Sequence, residues 1–157
     1  MKSGPHAAIS LVAGLAALAV TTPTVPAWVV VAVAVVAGVG IDLDHFLLAR
    51  YNTGDWTALQ RCLRDPTIVF LDQEAIFERG DVGALKRLLT HLVIAGLVVP
   101  VLYLWRPYVA GVVALSLYAH VLADVVAGVS NRVVVDREEL PDDWSRGTAT
   151  GDAPTGD

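Results

Sequence analysis

PAWVVVAVAVVAGVGIDLDH, residues Pro26 to His45, decides how this chain is read. From Pro26 to Ile41 no residue carries a charge, and apart from Trp28 every side chain is small or aliphatic. As an α-helix at ~1.5 Å per residue the run reaches about 24 Å, most of the ~30 Å of hydrocarbon in a bilayer. It then meets Asp42, Asp44 and His45 without a break. A helix apolar on every face belongs in lipid or in a large core, and polar residues abutting it face an interface or each other.

Working outward, three more blocks are nearly free of charge: Ala7 to Thr22, Leu88 to Trp105 and Pro107 to Val129. The 157 residues are 55% hydrophobic, with a mean hydropathy of +0.58, beyond what a soluble core of this size needs. Pro23-Thr24-Val25 and Arg106-Pro107 leave room only for tight turns. The pattern predicts an all-α integral membrane protein of four transmembrane helices arranged as two hairpins. Short cytoplasmic helices are expected between helices two and three. Residues 1–129 form the transmembrane domain, including a cytoplasmic insertion over 46–87, and 130–157 form a polar, acidic tail expected to be largely disordered. The first block also has the length of a signal-peptide core, with Val25-Pro26-Ala27 as a cleavage site. The single Lys2 before it and the second apolar run beginning at once after it favour a spanning hairpin.

With two hairpins, the insertion and both termini share one side. All Lys and Arg residues except Arg106 fall there: Lys2, Arg50, Arg61, Arg64, Arg79, Lys86, Arg87, Arg132, Arg137 and Arg146. The positive-inside rule makes that side cytoplasmic, in a multi-pass protein of the plasma membrane with cytoplasmic N- and C-termini. Trp28, Tyr103, Trp105 and Tyr108 gather at the other side as an interfacial aromatic belt. The net charge of −5, carried by loops and tail, argues against nucleic acid as a partner. Cys62 has no second cysteine to pair with and reads as a small apolar contact.

In the insertion, Gly54-Asp55 and Gly80-Asp81 offer Asp as a helix N-cap, and Trp56, Leu59 and Leu63 recur at helical spacing, predicting helices that cap the bundle or, as the alternative, lie on the membrane surface. Gly14, Gly38, Gly96 and Gly111 are expected where helices approach closely. Lys86 and Arg87 read as interfacial anchors.

The chemistry lies in polar residues beside the apolar blocks. His6 opens helix one, Asp42, Asp44 and His45 close helix two, His91 opens helix three, and His120 and Asp124 lie near the end of helix four. Up-down topology sends all of them to the cytoplasmic face. His120 and Asp124 share a helical face at i, i+4, as Asp42 and His45 do at i, i+3. A carboxylate inside a span costs ~2.5–3.5 kcal/mol on insertion scales and needs a partner. Histidines with aspartates and no thiolate suit a divalent ion, zinc first, with manganese or iron as alternatives. Seven candidates exceed one tetrahedral shell, so either two ions share the site or some residues orient the ligands. His45, His91, His120 and Asp124 are expected as metal ligands, with Asp42, Asp44 and His6 as further ligands or acid-base groups.

The ordered set His6, Asp42-Leu43-Asp44-His45, Thr90-His91 and His120-Val-Leu-Ala-Asp124 resembles the YdjM-like family of membrane-bound metal-dependent hydrolases, across nearly the whole membrane domain. Two positions depart from the family pattern: Ile41 stands where Pro is common, and Lys86 where a His is frequent. The final His-x-x-x-Asp is also similar to part of the helical zinc-dependent phospholipase C pattern. The resemblance implies a metal-dependent hydrolase. The depth of the residues suggests a membrane lipid, lipid-linked ester or phosphoester as substrate. The alternatives are a non-catalytic metal-binding or structural membrane protein and, third, a small transporter, which would want polar groups at several depths.

Overall fold

The computed structural model describes residues 3–68, 76–77 and 82–138. Every regular element among them is helical: α1 (Ser3–Val20), α2 (Ala27–Gly40), a 3-10 turn (Ile41–Leu43), α3 (Asp44–Thr53), α4 (Thr57–Arg64), α5 (Ala84–Trp105) and α6 (Pro107–Glu138). The chain forms two compact units, Met1–Asp124 and Val125–Asp157. The described part of the second is the continuation of α6 to Glu138.

Three stretches are long and apolar enough to cross a membrane, Ala27–Thr53, Leu85–Trp105 and Pro107–Ser130, while α1 is apolar but shorter. Only 6% of the most apolar window of α5 is buried, and Leu85, Leu89, Leu92, Leu97, Val101 and Leu104 all lie exposed on it. At ~25 cal/mol per Å² of apolar surface, a face this large is not left in water. The chain is therefore a membrane protein.

α1 packs antiparallel on α2 because both carry small residues in register. A Cβ at Gly14 would lie 3.0 Å from the Ala34 Cβ and 3.3 Å from the Val31 Cα. One at Gly38 would fall 1.8 Å from Ser10 Oγ and 2.8 Å from Ser116 Oγ, so α1, α2 and α6 meet at this glycine. Ala17, Val30, Ala34 and Val112 form the buried cluster beyond it. A second cluster, Ile41, Val113 and Leu117, takes in Ile94, Ala95 and Val99 of α5. Gly96 and Gly111, expected at close approaches, instead face open space, with nothing within 4 Å of a Cβ there.

The second apolar helix does not close at Asp42–His45. It tightens into the 3-10 turn and continues as α3 to Thr53, ending on Gly54 in the left-handed conformation (φ 83°). The helix thus runs on past residue 46, where the insertion was expected to begin. α6 likewise continues past residue 130 to Glu138, while residues 139–157, expected to be disordered, lie outside the described residues.

Asp55 accepts the Thr57 backbone N–H at 2.9 Å, and bonding to Thr57 holds its carboxyl below the usual range. It thus serves the start of α4 from one position before the N-cap residue, Trp56. Gly80 and Asp81 are outside the described residues. The buried face of α4 is not Trp56, Leu59 and Leu63 but Ala58 and Cys62, which pack with Ala49 and Ile76. Leu63 stays 73% exposed, and Trp56 lies under the Arg50 guanidinium at 5.8 Å. Small side chains let α4 lie close against α3, so the bulky ones are turned out. At the opposite end Trp28, Tyr103 and Trp105 are exposed, and the Tyr108 hydroxyl lies 3.2 Å from that of Thr21.

Candidate metal centre

Measured along each helix from the aromatic end, at ~1.5 Å per residue, His6, Asp42, His91 and His120 lie about 20–23 Å away and Asp124 about 26 Å. Four chain segments thus deliver their polar residues to one level, and their side chains meet there. His6, His91 and His120 are at most 1% exposed, and Asp44 and Asp124 are buried. Asp42 and His45, at 17% and 15%, form the accessible edge.

The local backbone explains how Asp42 and Asp44 act together. Two residues apart, their side chains would point ~160° apart on a regular α-helix but only ~120° apart on a 3-10 turn. Both reach the same two imidazoles. His45 Nε2 lies 3.6 Å from Asp42 Oδ1 and 3.7 Å from Asp44 Oδ1, and His91 Nε2 lies 3.6 and 3.7 Å from the same oxygens. His120 Nε2 is 3.3 Å from Asp42 Oδ1 and 3.6 Å from Asp124 Oδ2, and His6 Nε2 is 3.5 Å from Asp124 Oδ1. The His6 and His120 rings stack, with centroids 3.9 Å apart.

These separations are long for hydrogen bonds but match donor atoms around one ion: tetrahedral ligands at ~2.0–2.2 Å from zinc sit about 3.3–3.6 Å apart. Accordingly His6 Nδ1, Asp42 Oδ1, Asp44 Oδ1, His45 Nε2, His91 Nε2, His120 Nε2 and Asp124 Oδ1 are buried without a hydrogen-bond partner. At ~1–3 kcal/mol for each unsatisfied group, seven would rival the ~5–15 kcal/mol stability of a whole domain. A divalent ion satisfies several together, and His6/His120/Asp124, Asp42/His91/His120 and Asp44/His45/His91 are each close enough to hold one. All seven residues singled out from the sequence are therefore in one cluster.

Further groups orient the cluster. The Gly38 carbonyl, which can only accept, takes the His120 Nδ1–H at 2.6 Å, leaving Nε2 directed at Asp42 and Asp124. The Thr90 hydroxyl donates to Asp44 Oδ2, leaving Oδ1 to face the histidines. Arg87 Nε lies 3.3 Å from Asp124 Oδ2. It is thus a member of the site and not the interfacial anchor expected from sequence. Lys86, where the family pattern often has His, turns away to donate to Asn52 Oδ1 at 2.6 Å and to lie 5.3 Å from the Tyr51 ring centroid. Phe77 of the insertion sets its ring edge-on to His45 at 6.0 Å. Of these, Thr90 had a sequence signal through its place before His91, and Gly38 through its expected close helix approach.

No family model, curated protein or solved structure matches the chain. The chemistry of the site accordingly rests on its geometry.

Proposed function

We propose that this protein is a membrane-bound, metal-dependent hydrolase whose site opens at the cytoplasmic face of four transmembrane helices. The single observation that carries the reading is the set of buried, hydrogen-bond-orphaned imidazole and carboxylate atoms at metal-ligand spacing. Two hairpins, with α1 as the fourth span, agree with the antiparallel register of α1 on α2 and with the aromatic groups at one end. The Lys and Arg distribution supports the orientation. The resemblance to the YdjM-like hydrolases points the same way.

His45, His91, His120 and Asp124 would serve as metal ligands, with Asp42, Asp44 and His6 completing the coordination or moving protons. Zinc suits this donor set best, and manganese also fits. A bound divalent ion would polarise an ester or phosphoester oxygen and lower the pKa of coordinated water to ~7. Asp42 and His45, at the exposed edge, are the groups substrate meets first. Arg87, a fixed cation beside Asp124, orients an anionic group. Since the cluster sits about two turns inside the ends of a ~30 Å slab, a lipid or lipid-linked phosphoester with its tail in the bilayer is the favoured substrate.

The test uses the full chain in nanodiscs, loaded with zinc or manganese, with bis(p-nitrophenyl) phosphate and with a phospholipid mixture as substrates. Metal-dependent release of p-nitrophenol or a lipid headgroup, abolished by His91→Ala, supports the reading. A metal-loaded protein that cleaves neither favours the non-catalytic metal-binding alternative, to which the near-complete burial of His6, His91 and His120 lends some weight.

A further inference from the structure

If the cluster binds metal as proposed, the number of ions can be read from how its donors are divided. The triad Asp44/His45/His91 and the triad His6/His120/Asp124 share no residue, and each is close enough to hold an ion alone. Between them stands Asp42. Its Oδ1 is 3.6 Å from His45 Nε2, 3.6 Å from His91 Nε2 and 3.3 Å from His120 Nε2, so one carboxylate lies at ligand spacing from imidazoles of both triads.

We infer that the site is built for two divalent ions, one in each outer triad, bridged by the Asp42 carboxylate. The third triad, Asp42/His91/His120, does not add a third ion. An imidazole Nε2 has one lone pair and serves one ion, so His91 and His120, once engaged in the outer triads, are spent. A carboxylate oxygen has two lone pairs, so Asp42 Oδ1, at ligand spacing from imidazoles of both triads, can serve two ions. His120 has no second nitrogen to offer, because its Nδ1 is tied to the Gly38 carbonyl.

Charge balance agrees. Asp42, Asp44 and Asp124 bring three negative charges, one of them countered by Arg87 on Asp124. With neutral imidazoles, one divalent ion only neutralises this group, whereas two leave it net positive. Two ions ~3.5–4 Å apart with a net positive charge, beside a guanidinium, make a receptor for a phosphoester rather than a neutral carboxylic ester. The inference therefore narrows the substrate class of the proposed hydrolase as well as the ion count.

The experiment titrates manganese into metal-free full-length protein in detergent, counting bound ions by elemental mass spectrometry after desalting and recording electron paramagnetic resonance at each step. Two ions per chain, with an exchange-coupled manganese signal growing in with the second equivalent, is the expected result. His45→Ala and His6→Ala, which strike opposite triads, should each retain about one ion and lose the coupled signal. Asp42→Asn, which keeps the shape, should weaken the coupling even where two ions still bind. Saturation at one ion in the wild-type chain overturns the two-ion inference while leaving a mononuclear centre. No binding at all overturns both it and the hydrolase reading. If an alanine variant fails to fold, the wild-type count and coupling still decide.

Discussion

Gly38→Ala should loosen the proposed metal centre without touching a candidate ligand. The new Cβ would fall 1.8 Å from Ser10 Oγ, which can rotate away, but also 2.8 Å from Ser10 Cβ, which cannot. Ordinary contact begins at 3.4 Å, so α1 and α2 must part by about half an ångström. Overpacking of this kind costs ~1–3 kcal/mol, offset by up to ~1 kcal/mol from alanine's better helix propensity. The expected net loss is about 1–2 kcal/mol. Ser10 lies one turn from His6, and the Gly38 carbonyl anchors His120, so the same displacement disturbs both sides of one triad. Metal affinity should fall roughly tenfold for each 1.4 kcal/mol of lost ligand geometry. Gly96→Ala is the control, since a Cβ there meets nothing within 4 Å and should be neutral or slightly stabilising. Unfolding by sodium dodecyl sulfate in mixed micelles measures stability, and competition with a fluorescent chelator measures affinity. Gly38→Ala matching Gly96→Ala in both would refute the packing argument and the coupling of that glycine to the centre.

Other substitutions probe groups around the donors. Thr90→Val keeps the shape but removes the bond that orients Asp44, and should weaken metal binding about 10–100-fold, read by the same chelator competition. Arg87→Gln should lower kcat/KM for a phosphodiester about 10–100-fold, mostly through KM, from the loss of ~1.5–3 kcal/mol of charged hydrogen bonding; an unchanged KM would remove Arg87 from substrate recognition. Cys62 is buried in the insertion, and burial pushes its thiol up from the ordinary range. Iodoacetamide should therefore label the folded protein at least ~10-fold more slowly than the detergent-unfolded chain, as mass spectrometry of the alkylated peptide would show.

The spanning helices were legible because hydrophobicity over a bilayer's thickness is a property of composition, and charge-free blocks such as Leu88–Trp105 display it without reference to neighbours. The cluster was legible for a related reason: His6, Asp42, His91 and His120 lie at one level by residue count alone. The 3-10 turn at Ile41–Leu43 left no such mark. Hydropathy falls at Asp42, but backbone hydrogen bonding does not depend on hydropathy, and the helix runs on to Thr53. Glycine composition likewise does not say which face a neighbour covers, so Gly14 and Gly38 could not be told from Gly96 and Gly111. Arg87 was missed because a long flexible side chain at a helix start reaches the interface or the bundle interior equally well, and only the position of Asp124 decides. In α4 the helical spacing of Trp56, Leu59 and Leu63 predicts the helix but not its buried face, because close approach selects Ala58 and Cys62.

The central claim is that the buried histidines and aspartates form a metal centre, and elemental mass spectrometry of the detergent-purified chain tests it most directly. Wild-type protein should carry one or two zinc or manganese ions per chain, and a His91→Ala, His120→Ala variant of the same helical content should carry none. Metal-free wild type, unchanged after incubation with both ions, would contradict the account and leave the cluster without the partner its buried atoms require.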